Sequence, residues 1–265
     1  MALHRTDGIV MRRRNLGESD RIVEFYTHDY GKVRGVARAA RRPRSRFGSA
    51  LETFTLGRLL FFDTGRSELV RVDHFDILHS FVAVREHLER LGRGAWVLEC
   101  VDRLSGERDP HPALYGLVVR ALRALEAGAA DPERVAACFA LRAVDLLGHR
   151  PRIDRCVGCG RVYPFPDAAL DVEMGGLLCR SCGPAGHGLP VSGTVMGTVK
   201  RFRASRWDEA LRVPLAPDLA ADLSLLVDAI VVRLAGHPSR AGRFLAQTRR
   251  GLAVVAEPRR PFSAR

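Results

Sequence analysis

Apolar and polar positions alternate along the first eighty residues, broken by clusters of turn residues. The runs DGIVMRRRN and RIVEFYTHDYG flank Asn15-LGES-Asp20, KVRGVARA follows Gly31, and TLGRLLFFDT and SELVRVDHFDI meet at Gly65-Arg66. Period-two runs of this length between turn clusters predict five short strands, closing as a small antiparallel barrel or sandwich. From about residue 81 the period lengthens. FVAVREHLERLGRGAWVLECVDRL carries Val84, Leu88, Leu91, Trp96, Leu98 and Val101 at helical spacing. A second helix, PALYGLVVRALRALEAG, has Pro112 just inside its start and Gly128 just past its end. A third, ERVAACFALRAVDLLGH, is capped by Asp131 and ends near Gly148. The last part reads as helix again, with Leu219, Leu223, Leu226, Val227, Ile230 and Leu234 forming one apolar stripe that should pack on the earlier helices. The pattern divides the chain into a barrel over 1–80, a helical domain over 81–150 and 191–256, an insertion over 151–190, and a flexible tail over 257–265.

The insertion carries Cys156-VG-Cys159 and, nineteen residues on, Cys179-RS-Cys182. Two C-x-x-C pairs at this distance are the pattern of a tetrahedral zinc ribbon, each pair giving two thiolates from one tight turn. Gly160 and Gly183 follow the pairs and let the backbone curl round the ion. Four thiolates leave no open coordination position, so one structural zinc is expected, with His187 a dispensable neighbour. A segment of about forty residues cannot build a core alone, which gives the metal its purpose. Cys100 and Cys138 fall on helical apolar faces and read as buried small hydrophobes. His87 and His149 have no ligand partner in register and read as structural.

Charge sharpens this picture. The 265 residues carry 42 Lys+Arg against 30 Asp+Glu, net +12, and only Lys32 and Lys200 are lysines. Residues 1–80 are net +5 and 200–265 net +7, while 81–150 and 151–199 are neutral. Seven cations, Lys32, Arg34, Arg38, Arg41, Arg42, Arg44 and Arg46, lie between 32 and 46 without one acid. Lys32 and Arg34 begin the run in the third strand, and the basic stretch from Gly35 to Gly48 leads into the long connection between the third and fourth strands. A cationic loop on a small barrel, with Phe25, Tyr26, Tyr30 and Phe47 nearby, fits the way barrels hold single strands, although barrel packing accounts for each aromatic equally well. Lys200, Arg201, Arg203, Arg240, Arg243, Arg249 and Arg250 form a candidate second basic patch.

No phosphate-binding loop of the Walker type, no dinucleotide glycine fingerprint and no cluster of acids able to hold paired magnesium ions occurs, so a non-enzymatic protein is expected. Ser19, Asp20, His74 and Asp76 have no spacing that supports a catalytic triad. The start lacks an apolar signal segment and no run approaches a membrane span, so a cytoplasmic protein is expected.

The order of parts, a barrel with a basic loop and then helices interrupted by a four-cysteine ribbon, resembles the RecO family of bacterial recombination mediators. The likeness is carried by Gly17-Glu18-Ser19-Asp20, Gly31-Lys32, Gly35-Val36-Ala37, Ala40-Arg41-Arg42 and Ser45-Arg46-Phe47. In the ribbon it is carried by Gly175-Gly176-Leu177-Leu178-Cys179, as in the zinc-bearing branch. The resemblance implies an N-terminal oligonucleotide-binding (OB) barrel followed by an α-helical domain, in an α+β multidomain chain. It implies binding of single- and double-stranded DNA, annealing of complementary strands, and work on strands coated by single-strand-binding protein. RecR, sometimes RecF, and the RecA recombinase are the implied partners, in a cytoplasmic, nucleoid-associated setting and away from membranes. On this mapping the seven cations of the loop and Phe47 are the nucleic-acid contacts, Cys156, Cys159, Cys179 and Cys182 the zinc ligands, and the arginines of the last helix a candidate for the acidic tail of single-strand-binding protein. Two other readings remain: a sequence-specific zinc-ribbon regulator of transcription, which would need a recognition element near the cysteines, and an RNA-binding barrel.

Overall fold

The computed structural model describes residues 2–65, 67–183, 188–244 and Gln247. Strands β1 (Ala2–Leu16), β2 (Asp20–Thr27), β3 (Gly31–Ala37), β4 (Leu56–Asp63) and β5 (Leu69–His79) close into a barrel in the order β1-β2-β3-β5-β4. Strand β1 is long enough to serve two neighbours: Ala2 to Ile9 pair with β4 and Gly8 to Leu16 with β2, with a register shift between Val10 and Arg12. Alternate residues, among them Val10, Val23, Phe25, Val33, Leu59, Phe61, Val70 and Val72, fill the interior. This is the five-stranded OB topology. It departs from a wholly antiparallel barrel in one pairing, β3 with β5, which is parallel. The connection 38–55 crosses the end of the barrel and delivers β4 beside β1, so β5 returns along β3 in the same direction.

Helices α1 (Val82–Glu86), α2 (Leu88–Leu104), α3 (Pro112–Ala127) and α4 (Pro132–Leu146) follow. Where one helix was expected over 82–104 there are two, because His87 is extended between them. The break turns Leu88 outward, 47% exposed, while Val84 and Trp96 remain buried. The caps agree with the sequence. The Asp131 side chain accepts from the Glu133 N–H, Pro112 and Pro132 open their helices, and Gly128 closes α3 in the left-handed conformation. The ribbon is a small sheet of β6 (Arg152–Cys156), β7 (Ala169–Asp171), β8 (Gly176–Leu178) and β9 (Leu189–Pro190) in the order β6-β8-β7-β9. Then come α5 (Gly193–Ala204), α6 (Trp207–Leu211) and α7 (Pro217–Ala235), and residues 240–244 are helical again. The apolar stripe of α7 packs inward as its spacing predicts, with Leu223, Leu226, Val227 and Ile230 buried and Leu219 and Leu234 at its margin. Among the described residues no helix is long and apolar enough to cross a membrane. Arg249, Arg250, His187 and the tail 257–265 lie outside the described residues.

Two hydrophobic clusters result. One is the barrel interior. The other joins helices and ribbon and also takes Ile9, Met11, Tyr26, Phe54 and Leu56 from the barrel's outer face. Glycines permit the approach. A Cβ on Gly94 of α2 would stand 3.0 Å from Phe54 and from Val84. Gly31 has φ +62°, and a Cβ there would lie 2.2 Å from the Asp109 carbonyl oxygen. Gly31→Ala is therefore expected to lower stability by about 2–4 kcal/mol, since backbone must move on both sides. Gly17→Ala, at φ +56° but with nothing within 4 Å, should cost only the left-handed strain of about 1–2 kcal/mol. Urea unfolding of the two variants tests the difference, and equal midpoints would refute the close approach.

Candidate nucleic-acid interface and metal centre

The basic loop is a rigid cap. Its backbone runs as successive short turns, with N–H groups of Arg42, Ser45, Gly48 and Ala50 donating to carbonyls three residues back. Ala40, Phe47, Ala50 and Leu51 drop into the end of the barrel, and Arg38, Arg41, Arg42, Arg44 and Arg46 are left exposed. The cap is fastened to the β1–β2 turn. The Arg41 N–H donates to Ser19 O at 2.9 Å, its Nη1 to Gly17 O at 2.8 Å, and the Ala39 N–H to Asp20 Oδ1 at 2.8 Å. The Ala39 N–H, then the Ser19 hydroxyl, hold the Asp20 carboxyl below its usual range, helped by the charges of Arg38 and Arg42. Among the described residues Arg38, Arg41, Arg42 and Arg44 have no acidic partner within ion-pair distance. They present uncompensated charge on a backbone that needs no ordering, a suitable surface for phosphates.

Three of the sequence-derived contacts fall elsewhere. Lys32 is buried, its Nζ donating to Asp102 O at 2.7 Å and lying 3.5 Å from Asp102 Oδ1 and 3.4 Å from Glu107 Oε1. Arg34 donates to Glu107 Oε1 at 2.8 Å and lies 3.9 Å from Glu24. Lys32 fastens the barrel to the end of α2 and, with Arg34, to Glu107 just after it, and Lys32 has no free surface for a phosphate. Phe47 is 3% exposed, a plug in the barrel end with no face open to a base. The other aromatics are occupied too. Phe25 is in the core, Tyr26 packs toward Tyr115 of α3, and Tyr30 sits among His4 and Phe61. Burial pushes the Tyr26 hydroxyl well above its ordinary pKa. Part of the outer face of β1 and β2, at Ile9, Met11 and Tyr26, is thus beneath the helices, on the side from which OB barrels commonly take single strands, while Arg12, Arg13 and Arg34 stay partly exposed beside it.

The second basic patch does not assemble as one surface. Arg203 is buried, bonded to Asp145 Oδ1 at 2.8 Å, and ties α5 to α4. Lys200 and Arg201 are exposed on α5, with Lys200 Nζ 4.8 Å from the Tyr163 ring of the ribbon. Arg240 and Arg243 are exposed at the start of the last helical turn, anchored because Glu99 accepts from the Ser239 hydroxyl and from the Arg240 and Ala241 N–H groups. A different hollow gathers more charge. Arg120, Arg123, Arg206 and Arg212, all exposed, ring a depression that Trp207, Arg142 and one acid, Asp208, also line. Segment charge hid it: residues 81–150 sum to zero, but Asp102 and Glu107 are taken up at the barrel, leaving the arginines of α3 in excess over the single acid of the hollow.

The four cysteines do converge. Their Sγ atoms all lie within 4.8 Å of one another, and Cys159 and Cys179 are 3.7 Å apart. A tetrahedron of about 2.3 Å metal–sulfur bonds sets sulfurs about 3.8 Å apart, so the set fits one metal ion. Burial opposes ionisation of Cys156, but N–H groups of Cys179, Cys159 and Gly158 outweigh it and hold the thiol down at about 6. A Cβ on Gly158 would press on Cys182 at 2.9 Å, which is why the turn between the first pair carries glycine.

Comparison with known proteins agrees with this geometry. The pattern described as Recombination protein O N terminal matches residues 1–81, and Recombination protein O C terminal matches 85–241. A protein named DNA repair protein RecO from Symbiobacterium thermophilum is 36% identical over 248 residues, 92% of this chain and 97% of its own length. One of the same name from Anaeromyxobacter sp. (strain K) is 34% identical over 90% of this chain and 94% of its own. That from Rubrobacter xylanophilus is 40% identical over 69% and 72%. With barrel, helices and ribbon all inside the matched span, the chain belongs to the Recombination protein O family.

Proposed function

We propose that the protein is a non-enzymatic mediator of DNA repair and recombination that binds single- and double-stranded DNA, anneals complementary strands and helps a RecA-type recombinase onto strands coated by single-strand-binding protein. The observation that carries the reading is the cap of exposed arginines on an OB barrel in a chain of this family. RecR, and in some settings RecF, are the partners the family suggests, in the cytoplasm beside the nucleoid. Annealing requires that phosphates of both strands be neutralised while the bases stay free to pair. Arginines on a fixed backbone do this without sequence preference. The hollow ringed by Arg120, Arg123, Arg206 and Arg212 offers a second anionic contact, suited by charge to the acidic tail of single-strand-binding protein.

Combined Arg41→Ala, Arg42→Ala and Arg44→Ala should lower affinity alike for all sequences. It should also flatten the slope of log K against log salt by up to about 2.7, or 0.9 per lost phosphate contact. An unchanged slope would remove the cap from the interface. In an annealing assay followed by energy transfer, the wild-type chain should accelerate duplex formation on both naked and coated strands. Arg123→Glu with Arg206→Glu should impair only the coated reaction, and equal loss on naked strands would refute the acidic-tail contact. An RNA strand of the same sequence, added as competitor, tests the RNA-binding reading.

Zinc is the metal proposed for Cys156, Cys159, Cys179 and Cys182, from the all-thiolate donor set. Its role is structural. The ribbon's Leu170, Leu177 and Leu178 share a core with the helices, while the barrel interior is a separate cluster. Cys156→Ser should release the one zinc per chain and lower the melting temperature by roughly 10 °C, as several kcal/mol of metal-coupled folding are lost. DNA affinity through the cap should stay within about twofold, well inside one tenfold step of 1.4 kcal/mol. Retained zinc with an unchanged melting point would refute the role.

A further inference from the structure

Two arginines on the barrel differ from the rest in how they are held. Strand register aligns Leu3 of β1, Phe62 of β4, Arg71 of β5 and Val36 of β3 in one row. In that row the Arg71 guanidinium carbon lies 4.7 Å from the centroid of the Phe62 ring. On the adjoining cap the Arg46 guanidinium carbon lies 5.1 Å from the Phe47 ring. One carboxylate joins the pair. Asp73 Oδ1 is 3.8 Å from Arg46 Nη1 and 3.7 Å from Arg71 Nη2, and its Oδ2 is 2.9 Å from His74 Nδ1. Both arginine side chains remain 45% exposed, and Leu3 at the end of the row is 54% exposed.

This arrangement suits a base better than a phosphate. Asp73 cancels one of the two charges, which weakens the pair as an anion clamp. An aromatic ring 4.7 Å from the Arg71 guanidinium carbon and a carboxylate 3.7 Å from its Nη2 hold the planar group, and the side chain stays 45% exposed. A flat, partly neutralised cation beside apolar surface is what a nucleobase stacks upon, without regard to sequence. A duplex has no free base face to offer. We propose that Arg71, backed by Phe62 and positioned by Asp73, is a stacking platform for a base of single-stranded nucleic acid whose phosphates cross the cap arginines. The platform lies apart from the β1–β2 face that the helices partly cover. It deepens the DNA-binding reading above and rests on it.

Three probes of equal length test the platform: oligothymidylate, an abasic strand with the same phosphates, and a duplex. The wild-type chain should bind oligothymidylate about five- to tenfold more tightly than the abasic strand, the scale of one stacked base. Arg71→Lys keeps the charge and loses the plane, so it should bring that ratio to within twofold and leave duplex affinity and the salt slope unchanged. Phe62→Leu, which keeps apolar bulk but removes the ring, should lower the ratio as well. The proposal is overturned if the wild-type chain does not distinguish the abasic strand, if Arg71→Lys keeps the full ratio, or if it weakens duplex binding equally, as a phosphate contact would. Failure of the parent reading is distinct: no probe would then bind, or the triple cap variant would leave the affinities for all three as they are.

Discussion

The contact between barrel and helices decides where everything else can happen. At its centre a buried ammonium, Lys32, is enclosed by the Asp102 carbonyl and by the carboxylates of Asp102 and Glu107, with Arg12 and Arg34 reaching the same acids from the barrel surface. The ammonium is largely enclosed while Asp102 and Glu107 keep 23% and 49% of their side chains exposed, so solvent screens the pairing and its loss should cost about 1–2 kcal/mol, mainly through the unsatisfied Lys32 donor. Met11, Tyr26 and Phe54 add apolar surface beside it. The joint therefore covers part of the strand face most available in an OB barrel, and it draws the acids of α2 and the following loop inward.

That second effect produces the charge pattern outside. The helical segment 81–150 has as many acids as bases, yet the two are sorted. Asp102 and Glu107 face the barrel, Glu99 caps the last helical turn with Arg103 beside it, and Glu133 meets Arg93 in the interior. Arg120 and Arg123 are left on the surface, next to Arg206 and Arg212. On the barrel the sorting is simpler, because residues 38–51 of the cap include no acid, Glu52 is paired with Arg13, and the cap's apolar residues point inward. The basic surfaces follow from where carboxylates are consumed, and the overall excess of arginine only supplies the material.

The local part of this was legible in the sequence. Strand alternation, the helix caps at Asp131 and Gly128, the stripe on α7 and the two C-x-x-C pairs each depend on residues close in the chain, and each stands where the pattern puts it. What could not be read depends on distant partners. Lys32 meets Asp102 across seventy positions, and nothing near Lys32 distinguishes it from the arginines that follow. Phe47 reads as a surface aromatic in a basic string until the turns of the cap carry it into the barrel. Arg203 belongs to a visibly cationic helix but lies on the side that meets Asp145. The parallel β3–β5 pair is a property of chain routing, and alternation alone carries no information about direction.

The same distinction bears on the proposed function, in which the protein would hold DNA and still let strands pair. Contacts to phosphate through a rigid cap hold a strand without occupying the edges by which bases recognise each other, and they weaken as counterions return. A barrel that used its broad strand face would bury several bases at once and compete with annealing. With part of that face under the helices, the proposed function would rest mainly on phosphate contacts, with base contact at the margin where Arg71 and Phe62 lie. Under the proposal, discrimination for single strands would come from one planar contact, small enough to be displaced when a complementary strand arrives.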